Sequence, residues 1–328
     1  MLSNDTITQM KPPYQITPRI LSLTSSISEK LGEIKSAFLH KAPTELRKKN
    51  RVRTIQSSLE IEGNTLTIEQ VTAVLENKHV LAPEKDILEV KNAIASYERI
   101  GEYNPFRLDD LLQAHQTLMH GLVGKAGKLR TTAVGIARGE AITHLAPPSE
   151  MLSPLLHDLF DYLENDPDIL LIKSCVFHYE FEFIHPFTDG NGRMGRLWQT
   201  VILRTVNPVF EFLPIESLIK KNQASYYEVL GKADSLGSST PFIEFLLGII
   251  DASLDELLQG QNIHVTTTDR IELFKTYIGQ KAFSRSDYLR HFKGISTATA
   301  SRDLKQATTD NILLKKGDGR TTTYHYIN

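Results

Sequence analysis

Two apolar helical patterns meet at one polar, glycine-rich stretch, and that junction limits what the chain can fold into. Leu171, Ile172, Cys175, Val176, Tyr179 and Phe183 recur at helical spacing before it, and Leu197, Trp198, Val201 and Ile202 do so after it. Between them lies His185-Pro186-Phe187-Thr188-Asp189-Gly190-Asn191-Gly192-Arg193-Met194-Gly195-Arg196. The spacing predicts helix, tight loop, helix. The loop holds the parts needed to grip a polyphosphate. Gly190 and Gly192 permit positive φ and close approach of the backbone to a ligand. Asn191 lies between them, where the second helix is about to start, and free amides at a helix N-terminus bind anions. Arg193 and Arg196, three apart, are expected on one side of that helix, and the guanidinium fork pairs with phosphate. Asp189 is one hard oxygen ligand, and Mg²⁺ commonly takes one or two carboxylates together with substrate phosphates. His185, just before the loop, has the ordinary acidity of a general base.

The stretch resembles the Fic motif, HPFx[D/E]GN[G/K]RxxR, with every fixed position matched. The resemblance covers roughly residues 50 to 250. It implies a nucleotidyltransferase that moves AMP from Mg-ATP to a Ser, Thr or Tyr hydroxyl of a target protein, with release of pyrophosphate. Carried over by position, His185 would be the base and Asp189 the Mg²⁺ ligand. Gly190, Asn191 and Gly192 would cradle phosphate oxygens with backbone and amide groups, and Met194 and Gly195 fall within the same binding stretch. Arg193 and Arg196 would take the β- and γ-phosphates. Phe187 would anchor the loop from the core side.

A second stretch, Ser58-Leu59-Glu60-Ile61-Glu62-Gly63, reads from pattern alone as a helix C-terminus stopped by Gly63-Asn64. Glu62 there opposes the helix dipole. The stretch matches the Fic inhibitory motif [S/T]xxxE[G/N] through Ser58, Glu62 and Gly63. The resemblance implies a salt bridge from Glu62 to Arg196 that blocks the productive γ-phosphate position. Water positioning for AMP removal is the other role the family offers this glutamate.

Residues 121–150 are punctuated by glycines and short apolar runs, with Arg138-Gly139-Glu140 as a hairpin tip. This is the candidate for the family's target-holding flap, which would act by strand addition; Ile142, Thr143 and His144 are its named residues. In Asn222-Gln223-Ala224-Ser225-Tyr226-Tyr227, the resemblance implies a nucleotide contact from Tyr226, with a packed aromatic pair as the alternative. Asp234 stands where the family often has Asn.

The remainder bounds class and setting. The chain has 328 residues, net charge −2 and one Cys, which excludes an intramolecular disulfide and a cysteine zinc cluster. A reducing, cytoplasmic setting without a membrane span is expected. Residues 1–16 read as an extended arm. His115 and His120, five apart, do not share a helical face and are not read as a metal site. Residues 270–328 carry eleven Lys and Arg against five Asp and Glu. Two helix starts followed by two short strands around an Asp-Gly turn resemble a winged helix-turn-helix, a possible DNA contact.

The expected fold is mainly α. It comprises an N-terminal arm and helical region (1–50), a Fic-domain helical core (51–258) with an inhibitory helix over 54–63 and a β-hairpin flap, a linker (259–269) and a winged helix-turn-helix (270–328). The expected function is a self-inhibited protein adenylyltransferase. Its rivals are a DNA-binding regulator with a nucleotide-sensing core, a Fic transferase using another donor, and an enzyme that removes AMP. A homo-oligomer is a further expectation.

Overall fold

The computed structural model describes residues 11–38, 44–138, 141–259, 267–292 and 295–327. The chain divides into two compact units, residues 1–33 with 49–258, and residues 34–48 with 259–328. Among the described residues, the first unit takes most of α1 (Pro18–Phe38) and of α2 (Thr44–Ile61). It continues with α3 (Ile68–Leu75), α4 (Glu84–Glu98), α5 (Leu108–Leu118), the hairpin β1 (Gly135–Arg138) and β2 (Ala141–Leu145), α6 (Leu152–Asn165), α7 (Leu170–Ile184), α8 (Asn191–Val206), α9 (Ile215–Lys221), α10 (Gln223–Leu236) and α11 (Thr240–Gln259).

The pair α7–α8 is the centre of this unit. Every residue of α7 from Leu171 to Tyr179 is buried, as expected of a helix apolar on most of its circumference. Phe177, Phe181, Leu197, Trp198 and Ile202 are fully enclosed, and α6 packs on α7 while α5 packs on α8. The two helices are held together by this core, and the loop between them, 185–190, is therefore fixed at both ends. Local signals place the surrounding elements. Thr67 caps α3 and forms a capping box with Gln70. Gly237, at φ 57, ends α10.

Residues 11–17 run without regular structure along the unit. Pro13 O accepts from Ser239 N at 2.9 Å, Gln15 N donates to Thr240 Oγ1 at 2.9 Å, and Lys11 pairs with Asp168. In the basic run over residues 47–53, Arg51 pairs with Glu211 (3.1 Å) and Arg53 with Glu256 (3.6 Å).

The second unit has α12 (Thr267–Ile278), α13 (Arg285–His291), α14 (Thr297–Thr309) and the antiparallel pair β3 (Leu313–Lys316) and β4 (Thr323–Tyr326). Phe283 bridges to Tyr324 beside that pair. The strands are joined through residues 317–322, with a 3-10 turn at Gly319–Thr321; the tight Asp-Gly turn expected from sequence is not formed. Phe274, Phe283, Tyr288, Leu304, Leu313 and Tyr326 make the core. Of the expected linker, residues 260–266 lie outside the described residues.

Asp303 ties the three helices of this unit together. It is fully buried and accepts from Arg270 Nε (2.6 Å) and Nη2 (2.8 Å), Thr267 Oγ1 (2.7 Å) and Tyr288 OH (3.2 Å). Asp303→Ala would remove these bonds to Arg270, Thr267 and Tyr288 at once, a loss of about 3–5 kcal/mol. The expected result is faster amide exchange throughout residues 267–327.

Candidate active site

The site is built from the loop outward. α7 ends at His185, which is left-handed at φ 50, ψ 59. That conformation is uncommon outside glycine, and several bonds hold it. His185 N donates to Phe181 O at 3.0 Å, while Arg130 Nε donates to His185 O at 2.8 Å. The His185 ring places Nδ1 3.4 Å from Glu182 O. A carbonyl can only accept, so Nδ1 is the donor in this contact, and in the neutral tautomer that makes it Nε2 carries the lone pair of a base.

Beyond His185 the loop is closed on itself. Asn191 Oδ1 accepts from Phe187 N and Asn191 Nδ2 donates to Phe187 O, both at 2.9 Å. The amide side chain expected to touch phosphate is therefore spent on the loop, and only the Asn191 backbone faces that task. Phe187 is fully buried and stacks on His115, with centroids 3.6 Å apart and planes 9° apart. His115 Nδ1 accepts from Gly127 N (2.8 Å), and Nε2 donates to Asp189 O (3.0 Å). Gly190, at φ 84, stands as the N-cap of α8, and a Cβ there would lie 2.6 Å from Met119 Sδ. Gly192 differs from expectation. It is helical, so its lack of a side chain provides space rather than a positive φ: a Cβ would meet Glu62 Oε1 at 2.5 Å.

The first amides of α8 have no acceptor within the helix and carry its positive end. Beside them Arg193, 5% exposed, donates Nη1 to Glu89 Oε1 (3.1 Å) and Nη2 to Asp189 Oδ1 (3.0 Å). Its Nε is buried without a partner among the described residues. A buried donor left unsatisfied is costly, and a phosphate oxygen would satisfy it. The side chain of Asp189 is 55% exposed, with Oδ1 taking Gly190 N (2.6 Å) and Arg193. Among the described residues no cluster of three or more His, Cys, Asp or Glu is arranged for a metal. One open carboxylate beside a phosphate site nonetheless suits Mg²⁺, which keeps waters and takes substrate phosphates.

Arg196 faces the end of α2. Its Nη2 donates to Glu62 Oε1 (2.7 Å) and Ser58 O (2.9 Å), and its Nε donates to Ser58 Oγ (3.1 Å). Burial alone would lower the guanidinium pKa; Glu62 foremost, together with Tyr226 and Glu182, more than offsets this and raises it. Gly63, at φ 92, turns the chain out of α2 so that Asn64 Nδ2 reaches Glu89 Oε2 at 2.8 Å. One chain of bonds therefore runs from Asn64 through Glu89 and Arg193 to Asp189.

Three expected binding residues are placed otherwise. Met194 is fully buried and packs the interior. Gly195 faces α7, where a Cβ would lie 2.9 Å from Glu182 Oε1 and 3.2 Å from the His178 ring, so it is small for helix packing. Tyr226 is 2% exposed and enclosed by Tyr227, Phe242 and Phe245, with its hydroxyl 3.1 Å from His178 Nε2. It is the packed member of the pair. In the hairpin, Ile142 pairs with Ala137 and His144 with Ile136, leaving Thr143 at the register shift; β2 runs beside α10. Gly139 and Glu140, the expected tip, lie outside the described residues.

Several site residues carried no signal that sequence reading could use. Asn64 was legible only as a helix stop, and Glu89 only as a polar position in an amphipathic helix. Glu216 and Tyr97 lie buried within electrostatic reach of Arg196, joined by a 3.1 Å bond from the Tyr97 hydroxyl, with burial pushing the Glu216 carboxyl up to about 7.

His115 and His178 are both drawn down to about 4 by burial. Their ordinary value is about 6.5, so between those values the unfolded chain binds protons that the folded chain does not. Their contribution to stability is complete above the ordinary value and is lost as pH falls toward about 4; Glu216, raised rather than lowered, acts in the opposite sense. The rings themselves give the direct check. NMR titration is expected to show both unchanged from pH 8 to about 5.5.

A profile of the Fic/DOC family matches residues 105–203. The protein adenylyltransferase Fic of Nematostella vectensis is 28% identical over 265 residues, covering 75% of this chain and 59% of that protein. The protein adenylyltransferase fic-1 of Caenorhabditis elegans is 29% identical over 273 residues, 78% of this chain and 51% of that protein. The chain thus spans between half and three-fifths of the length of these curated relatives. Among solved structures, a Fic family protein from Desulfovibrio desulfuricans G20 superposes with a TM-score of 0.75 at 42% identity, covering 97% of this chain and 99% of that one. Fic-1 of C. elegans, residues 134–508, superposes with a TM-score of 0.61 at 24% identity, covering 75% and 74%, and shares the fold.

Proposed function

The chain belongs to the Fic family, and we propose that it transfers AMP from ATP to a hydroxyl side chain of a target protein. The observation that carries this reading is the His185 ring, presented with a basic Nε2 at the head of an anion-binding turn that holds a buried, incompletely satisfied arginine. In the step proposed, the target hydroxyl oxygen attacks the α-phosphorus as its proton passes to His185 Nε2. The bond from the α-phosphorus to the bridging oxygen breaks, and pyrophosphate leaves with that oxygen. The amides at the start of α8 and the Arg193 guanidinium hold the phosphates and balance their charge. Mg²⁺, when bound, would be held by Asp189 and the phosphates and would neutralise charge on the departing pyrophosphate. The β1–β2 hairpin offers an edge along which a target segment would add as a strand.

We further read Glu62 as a brake. Its carboxylate occupies Arg196 and lies against the backbone of Gly192, on the first turn of α8. A carboxylate at a helix N-terminus takes the place an anionic ligand would take. Among the described residues no helix is long and apolar enough to cross a membrane. The buried Cys175, its thiol pushed up to about 12 by burial, suits a reducing compartment, and a cytoplasmic location is part of the proposal.

Incubation with Mg²⁺, α-labelled ATP and a cell lysate as the target source tests the reading. Label on protein supports it. No label from either the unaltered chain or Glu62→Gly would overturn it, in favour of another donor or a nucleotide sensor.

A further inference from the structure

Arg130 is 2% exposed, yet among the described residues its side-chain hydrogen bonds all go to carbonyl oxygens. Nε donates to His185 O (2.8 Å), Nη1 to Thr132 O (2.8 Å), and Nη2 to Pro147 O (2.6 Å) and Ile184 O (3.3 Å). Its own amide donates to Pro186 O at 2.9 Å. Two of these acceptors, Ile184 and His185, are carbonyls at the end of α7, which have no intrahelical partner and favour a cation. The other two lie in the legs of the hairpin: Thr132 precedes β1 and Pro147 follows β2. The legs are joined by Ala146 N donating to Val134 O at 3.2 Å.

We propose that Arg130 is a positioning residue for transfer, one guanidinium that fixes the foot of the hairpin to the backbone of His185. Burying a cation without a carboxylate partner is unfavourable, and burial lowers the Arg130 pKa against a weaker opposing effect of Glu150. An apolar side chain would fill the same space without that penalty. What only a planar fork supplies is simultaneous bonding to carbonyls on two sides. The two sides here are the segment proposed to hold the target and the residue proposed as base. The left-handed backbone of His185 is kept in place by the bond to its carbonyl, so a shift of either hairpin leg is transmitted to the ring that takes the proton. Nothing in this contact set touches Arg193, Arg196 or the start of α8, so the ATP phosphates are expected to be indifferent to it.

This inference rests on the adenylyltransferase reading, and its test is arranged to separate the two. Arg130→Lys keeps the charge but not the fork; Arg130→Ala removes both. Each is made in the full chain carrying Glu62→Gly. For Arg130→Lys the expected result is a fall in kcat on the order of 10²-fold, the effect of a small misplacement of reacting groups. KM for ATP and ATP affinity should stay within about twofold, because binding and positioning are separate. The NMR signals of the His185 ring should shift while those of His178 stay, and the fluorescence of Trp198 should report an intact core. An Arg130→Lys chain that transfers at the parent rate overturns the proposal. So does a loss of kcat accompanied by equal loss of ATP affinity and of the Trp198 signal, which marks a general collapse. Should the Glu62→Gly parent transfer nothing, the adenylyltransferase reading fails. The NMR arm then decides alone: selective displacement of the His185 signals upholds the tie, and unchanged signals remove it.

Discussion

His185→Ala lowers transfer by about 10²–10⁴-fold, the range for loss of a positioned general base, while ATP still binds. The two properties separate because their groups are separate. The phosphates are expected at the amides opening α8 and at Arg193, whose bonds run to Glu89 and Asp189. The ring of His185 belongs to the end of α7, where its Nδ1 lies against Glu182 O and its backbone bonds to Phe181 and Arg130. Neither His115 nor His178, the buried imidazoles of the described residues, is placed to substitute. Both ring nitrogens of His115 are committed, to Gly127 and Asp189, and both of His178, to Gln199 and Tyr226. Burial holds each of those rings near a pKa of about 4, too acidic for an efficient base at neutral pH. Label transfer from α-labelled ATP, run beside a calorimetric titration of ATP binding, reads both quantities. Transfer at the parent rate would mean that another group takes the proton.

The parts legible in the sequence are those whose chemistry is local. The helix–loop–helix around 185–196 followed from apolar spacing, and the N-terminal turn of α8 from two glycines flanking an asparagine. What remained hidden depends on contacts that cross the chain. Asn191 looks like a phosphate ligand until Phe187 is seen to take both ends of its amide. Gly192 looks like a hinge until the space above it proves to hold the carboxylate of Glu62, from another helix. Tyr226 and Tyr227 are equivalent as a dipeptide, and only the packing of α10 on α7 and α11 decides which ring is enclosed. Arg130 and Glu89 show the same limit more strongly. Each is an ordinary charged residue in its own segment, and each acquires its role from acceptors or donors brought close by the fold, as far as 104 positions away for Glu89 and Arg193.

Glu62→Gly is expected to raise transfer by about 10- to 150-fold, which corresponds to freeing Arg196 from a charge-assisted hydrogen bond of about 1.5–3 kcal/mol. The direction follows from the asymmetry of the pair. Arg196 is buried and keeps its two bonds to Ser58 when Glu62 is gone, so the guanidinium stays in place with one donor released toward the start of α8. Glu62 is about one-third exposed and lies at the end of α2, where a negative charge opposes the helix dipole; its removal is not expected to unfold the segment. Glycine leaves no side chain to compete with a phosphate over Gly192. Glu62→Gln should give a smaller increase, because the amide oxygen still accepts from Arg196 without its charge. Adding Arg196→Ala to Glu62→Gly should abolish most of the gain, since the released donor is then missing, and the non-additivity measures the coupling. Initial rates of label transfer for the parent, Glu62→Gly, Arg196→Ala and the double variant close the cycle, with Glu62→Gln measured beside them. A gain in Glu62→Gly that survives intact in the double variant would show that the glutamate restrains the enzyme by some route other than Arg196, and the carboxylate lying over Gly192 would then be the remaining contact to test.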